Sequence, residues 1–181
     1  MTFRRVVSYA FAVGLFSSTC VAESATTEPA ELTVLKAAVG VWDAEIETWP
    51  AGLDKPSIKF EGIETNRAYG EHWIVSDFDS EFEGQQVKVH SIVGYDLDRK
   101  KLVGTVVDAG PYAATMTGDY DAESNSVQWV TNIKYPDGTP GAQRTTVTQK
   151  TPDERILVLM VPGKKQGEFV KCMEIKFTRR K

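Results

Sequence analysis

The chemistry open to this chain of 181 residues rests on few side chains: two histidines, His72 and His90, and two cysteines, Cys20 and Cys172. A structural zinc site takes four N, S or O ligands in a recurring spacing. Two histidines and one late cysteine supply no such spacing, so no metal is expected. Phosphate-binding Gly-rich loops, H-E-x-x-H, G-x-S-x-G and C-x-x-C are absent from the sequence. Three groups remain. His72 shares alternation parity with Ile74 and Phe78 and so reads as inward-facing, where an imidazole changes charge near neutral pH. Asp108 ends an apolar run, and Tyr112 lies just past Gly110-Pro111. An imidazole, a carboxylate and a phenol brought together would orient a ligand or exchange protons. Each also has an ordinary role, His72 as a satisfied core histidine and Asp108 as the cap of the turn that follows it.

A second set is apolar. Tyr69, Trp73, Tyr95, Met116, Trp129 and Met160 are each core filler when taken singly. As a set they suit a cavity for a flat or greasy ligand. The candidate ligand-binding residues are therefore Tyr69, His72, Asp108, Tyr112, Met116 and Trp129, and no catalytic residue is assigned. His90 falls on the parity opposite Val87, Val89 and Val93 and is expected in water. Cys172, between Val170 and Met173, reads as a small buried hydrophobe, with no His or helix N-terminus nearby to make it reactive.

These residues need elements to hold them. Arg4 and Arg5, the apolar stretch 6–16 and the small-residue end at Cys20-Val21-Ala22 read as a signal peptide over residues 1–22. The apolar part is too short to span a bilayer, which takes roughly 20 residues. The chain is thus expected to be exported, periplasmic or extracellular, and to meet a membrane only during export. Lipidation at Cys20 is the alternative, although Ser17-Ser18-Thr19 lacks the usual aliphatic residue before such a site. Loss of Arg4 and Arg5 makes a chain of net charge −4 two units more negative. Its longest basic run is Arg179-Arg180-Lys181, so nucleic acid is excluded as a partner. Loss of Cys20 leaves Cys172 without an internal disulfide partner.

Residues 23–30 are small and polar and read as a flexible lead to a single domain over 31–181. A helix is expected over 31–39, where Leu32, Leu35, Ala38 and Val39 recur at helical spacing, with Gly40 as the stop. From Val41 onward the period is two. Trp42, Ala44 and Ile46 alternate with Asp43, Glu45 and Glu47, the pattern of a strand with one wet face. Strands are expected over 42–48, 57–65, 71–82, 87–95, 102–108, 112–118, 127–133, 144–149, 156–161 and 168–178. In the second, a bulge at Gly62 would return Ile63 to the inner face. About ten strands joined by short turns read as all-β. Such a sheet closes into an up-and-down antiparallel barrel or splits into a sandwich.

A helix, then Gly40-x-Trp42 on a first strand, then an up-and-down run ending in Phe177-Thr178-Arg179, resembles the calycin superfamily of lipocalin-like barrels. In those barrels the tryptophan lies across one end and a late-strand arginine stacks over it. The resemblance implies Trp42 and Arg179 as the barrel-closing pair. A guanidinium over an indole closes such an end without stranding a charge. More closely, the chain resembles the bacterial domain-of-unknown-function 1579 family. The similar stretches are Val39-Gly40-Val41-Trp42, Trp49-Pro50, Trp73-Ile74-Val75, Phe82-Glu83-Gly84, Gly94-Tyr95-Asp96, Gly118-x-Tyr120-Asp121 and Met173-Glu174-Ile175. They imply a fold over about residues 32–180 and no activity. Val106 stands where the family pattern often has a bulky aromatic, implying a less crowded wall near Asp108. A haem-binding barrel of the nitrobindin type would need a late-strand histidine; none follows His90, and no cofactor is expected.

The expected function is therefore binding of a small apolar ligand inside the barrel. Two other classes stay open: a small-substrate enzyme using His72, Asp108 and Tyr112 as acid–base groups, and a surface-acting module, monomeric or weakly dimeric through an edge strand.

Overall fold

The computed structural model describes residues 28–135 and 137–181. The expected signal peptide over 1–22, the lipid alternative at Cys20 and most of the lead over 23–30 lie outside the described residues. Among the described residues there are one helix, α1 (Ala30–Ala37), and ten strands: β1 (Gly40–Thr48), β2 (Ile58–Tyr69), β3 (Trp73–Phe82), β4 (Gln85–Asp96), β5 (Lys101–Val107), β6 (Ala114–Asp121), β7 (Ser126–Lys134), β8 (Pro140–Thr151), β9 (Glu154–Pro162) and β10 (Phe169–Arg179).

Each strand pairs antiparallel with its neighbours in sequence, and β10 returns to pair with β1, closing the barrel. The alternation read from the sequence is the physical cause. Along β1, Trp42, Ala44 and Ile46 are buried while Asp43 and Glu45 are exposed, because successive side chains leave a strand on opposite faces. Closure removes both sheet edges, so a dimer built through an edge strand has no edge to use.

The second strand departs from its sequence reading. β1 and β2 pair in unbroken register from Thr48↔Ile58 to Gly40↔Asn66, so there is no bulge at Gly62. Gly62 answers a close approach instead: a Cβ there would lie 2.8 Å from Phe78 Cζ. With the register unbroken, Ile63 faces out, and Phe60, Glu64 and Asn66 take inward positions. Irregularities occur elsewhere, between Lys171 and Met173 and between Gln149 and Thr151. At the first of these, Cys172 is half-buried with Sγ 3.6 Å from the Leu159 carbonyl, and burial pushes its thiol pKa up.

The helix starts one residue earlier than expected and ends two earlier. Glu31 in the first turn and Lys36 in the last both suit the helix dipole. Leu32 and Leu35 of α1 are buried against Ile74, Tyr95, Leu102, Val127 and Trp129, so α1 covers one end of the barrel. A second cluster beside it joins Trp42, Ala44 and Ile46 to Ile175 and Phe177.

Candidate functional site

Inward positions on β3 and β4 carry small or short side chains, among them Ser76, Val87, Val89, Ser91 and Val93. A ten-stranded circumference lined this way is wider than its side chains fill. A cavity of about 660 Å³ results, running from α1 at the covered end to the loop at 108–112 at the other.

Of the residues singled out in the sequence, Met116 and Trp129 stand in the cavity wall. Asp108 and Tyr112 stand at its open end. There Asp108 Oδ1 accepts the Gly110 N–H at 2.7 Å, the turn-capping role. Tyr112 is 40% exposed, with the Lys134 ammonium 5.6 Å from its ring centre. Tyr69 and His72 are not part of the wall. Tyr69 ends β2 and is 66% exposed. His72 sits in the turn between β2 and β3; its carbonyl accepts the Tyr95 N–H at 3.1 Å, and its Nδ1 is buried without a partner.

His72, Asp108 and Tyr112 therefore do not converge. On β4, Tyr95 pairs with Leu102 at the covered end, whereas His90 pairs with Val107 at the open end. Those five residues of strand set His72 roughly 15–20 Å from Asp108 at about 3.4 Å per residue. Alternation parity fixes which face a side chain takes, not its height. In an up-and-down barrel the β2–β3 turn and the β5–β6 loop fall at opposite ends. The acid–base arrangement is not assembled.

The covered end is where polar groups meet. Gly40 leads into β1 at φ +133°, a left-handed conformation that L side chains rarely adopt, and a Cβ there would lie 2.6 Å from Arg179 Nη1. This opening lets Arg179 donate from Nη1 to the Val39 carbonyl at 2.6 Å and from Nη2 to that of Ala37 at 2.7 Å. Trp42 Nε1 and Asn66 Nδ2 both donate to the Ala38 carbonyl, at 2.9 and 3.0 Å. The carbonyl of Ala37 at the end of α1, and those of Ala38 and Val39 just past it, are thus satisfied by barrel side chains. The Arg179 guanidinium lies 4.1 Å from the centre of the Trp42 ring, and Trp42 is fully buried.

A second guanidinium, unforeseen in the sequence, lies 4.4 Å from the same indole. It belongs to Arg155 of β9, which is also 4.5 Å from the Phe177 ring. Arg155 Nη2 meets Glu64 Oε2 of β2, an ion pair between strands that are not neighbours in the sheet. Glu64 also accepts from Asn66 Nδ2 and from Ser76 Oγ, both at 3.2 Å. Burial, together with the charge of Arg179, pushes the pKa of Arg155 down to about 9, so the guanidinium stays protonated at neutral pH. Glu64, Asn66 and Arg155 all line the cavity. Their signal was parity: Phe60, Gly62, Glu64 and Asn66 run on one face of β2, and Arg155, Leu157 and Leu159 on one face of β9. Among the described residues no group of three or more His, Cys, Asp or Glu could hold a metal ion, and no helix is long and apolar enough to cross a membrane.

A closed ten-stranded antiparallel barrel with an N-terminal helix over one end and an internal cavity is a lipocalin-like barrel. The chain belongs to the family described as protein of unknown function (DUF1579), whose model matches residues 27–179. It is similar to the crystal structure of Rv2717c from M. tuberculosis, with TM-score 0.62 and 11% identity over 84% of this chain and 99% of that one. It is also similar to the S-type phycobiliprotein lyase CPES from Guillardia theta, with TM-score 0.56 and 13% identity over 85% of this chain and 94% of that one. At these identities the likeness is one of fold. No curated protein matches the chain.

Proposed function

We propose that this chain is an exported binding protein that takes one small apolar molecule into the barrel interior. The observation that carries the reading is the cavity of about 660 Å³, within the roughly 300–1,000 Å³ of small-molecule sites. Its walls are mostly aliphatic and aromatic, with Met116 and Trp129 among them, and a few hydroxyls and one ion pair to fix orientation.

Titration of the purified chain with diphenylhexatriene, a hydrocarbon that fluoresces when removed from water, tests the reading. Saturable uptake with one probe per chain is expected, accompanied by quenching of Trp129. Absence of saturable uptake overturns it. Export is tested separately by fusing residues 1–22 to a reporter active only outside the cytoplasm; an inactive fusion overturns that part.

A further inference from the structure

Resting on the reading that the cavity takes up an apolar molecule, we propose that Arg155 is the polar anchor of that site. Its ligand then carries an uncharged acceptor oxygen, such as a ketone, ester or amide carbonyl, at the end that reaches the covered floor.

The Arg155 side chain is 7% exposed and lines the cavity. A guanidinium presents five N–H donors in a fixed fork. Here Nη2 lies against Glu64 Oε2 as an ion pair, yet neither Nη2 nor Nε, both buried, has a hydrogen-bond partner. The rings of Trp42 and Phe177 stack on the group and offer it no lone pair. Buried donors are nearly always paired, and one left unpaired costs free energy. The floor is therefore short of an acceptor, and the cavity is the side from which one can arrive.

Charge decides which acceptor. Glu64 is already engaged on both oxygens, by Arg155 and Asn66 on one and Ser76 on the other. Glu64 also balances the charge of Arg155, and Arg179 has its own carboxylate, Asp153, at 3.2 Å. A ligand carboxylate would enter beside Glu64 as an unbalanced buried charge, which is costly. A neutral carbonyl accepts from Arg155 and leaves the floor balanced, while the aliphatic wall holds the rest of the molecule. The ligand class is a hydrocarbon body with a terminal neutral carbonyl, not a free fatty acid.

The test displaces bound diphenylhexatriene with four competitors of similar length: tridecane, 2-tridecanone, methyl laurate and laurate. It uses the wild-type chain, E64Q, and the double variant R155M/E64Q, which removes both charges together. In the wild type, methyl laurate should displace the probe better than laurate. The preference for 2-tridecanone over tridecane should fall about tenfold in the double variant, the worth of one charge-assisted hydrogen bond. In E64Q, where Arg155 keeps its charge without a counter-ion, laurate should gain about tenfold or more on its ester. If the double variant fails to fold, the E64Q arm decides. An unchanged ketone preference in the double variant, no gain of laurate in E64Q, or a wild type that prefers laurate overturns the anchor while probe uptake still supports the cavity. If diphenylhexatriene itself does not bind the wild type, cavity and anchor fall together.

Discussion

Replacing Arg155 by methionine should destabilise the barrel by about 4 kcal/mol. Breaking a buried ion pair by deleting one partner costs about 3–5 kcal/mol, because the other charge is left uncompensated. Water relieves little of that here, since the side chains of Arg155 and Glu64 are 7% and 17% exposed. Glu64 keeps its bonds from Asn66 and Ser76, both 3.2 Å, which argues for the lower half of the range. Loss of the guanidinium from the Trp42 and Phe177 rings adds about 0.5–2 kcal/mol. For a chain of this length the total corresponds to a melting point about 8–16 °C lower. Glu64→Leu should cost about as much, for the converse reason. The double variant, in which apolar side chains replace both charges, should lie within about 2 kcal/mol of the wild type. Urea unfolding followed by tryptophan emission, with the slope unchanged between variants, measures all three. The two single losses should exceed the double loss by several kcal/mol in the cycle. A double variant as unstable as the sum of the singles would refute the pairing and, with it, the account of the floor.

Trp42→Ala should cost about 3–5 kcal/mol as truncation of a fully buried aromatic. Arg179→Ala should cost less, about 1–3 kcal/mol, for the bonds it makes to the end of α1. Thermal melts that left Arg179→Ala as stable as the wild type would show that those carbonyls find water instead. The Asp77 carboxylate is held below its ordinary pKa, chiefly by its hydrogen bond to His90 Nδ1 at 2.6 Å and also by the charges of His90 and Arg67. Because its folded pKa lies below the unfolded one, the stabilisation is complete above the unfolded value and is lost as pH falls through the folded value. The melting-point advantage of the wild type over Asp77→Asn should accordingly hold steady above about pH 5 and shrink between about pH 5 and about pH 2. An advantage constant over that interval would mean that the carboxylate charge is not what stabilises.

The barrel was legible because its constraint is repeated. Each strand must present one apolar face, so Trp42, Ala44 and Ile46, then Val87, Val89, Ser91 and Val93, then Val127, Trp129, Thr131 and Ile133 all announce the same inside. Errors in single strands are absorbed by the rest. Heights were not legible from that pattern. His72 and Asp108 satisfy the same parity rule as Met116 and Trp129, yet the first pair lies at opposite ends, because only the up-and-down order of strands assigns a turn to one mouth or the other. Ile63 shows the same limit from another side. Reading it as inward required a bulge at Gly62, a residue that serves a close approach to Phe78 instead. Alternation carried through Gly62 without a bulge puts Glu64 and Asn66 of β2 on the inner face, where Arg155 of β9 joins them as a third polar residue.

That trio also bears on what the interior is for. Closing a barrel end does not call for a buried ion pair, since apolar side chains of similar volume would serve as well or better. The closing itself is accomplished by Arg179, Trp42 and Asn66, each of which donates to a carbonyl at or just past the end of α1. Arg155 takes no part in those bonds. It stacks on the inner cluster, draws its counter-charge from across the barrel, and stands in the cavity wall with buried donors left unpaired. A group of that cost, placed where it contributes nothing to closure, makes physical sense as a contact for something the cavity admits. The same argument explains why the open end is built differently. Asp108 there is committed to its own turn and Tyr112 is exposed, which suits an entrance more than a binding contact.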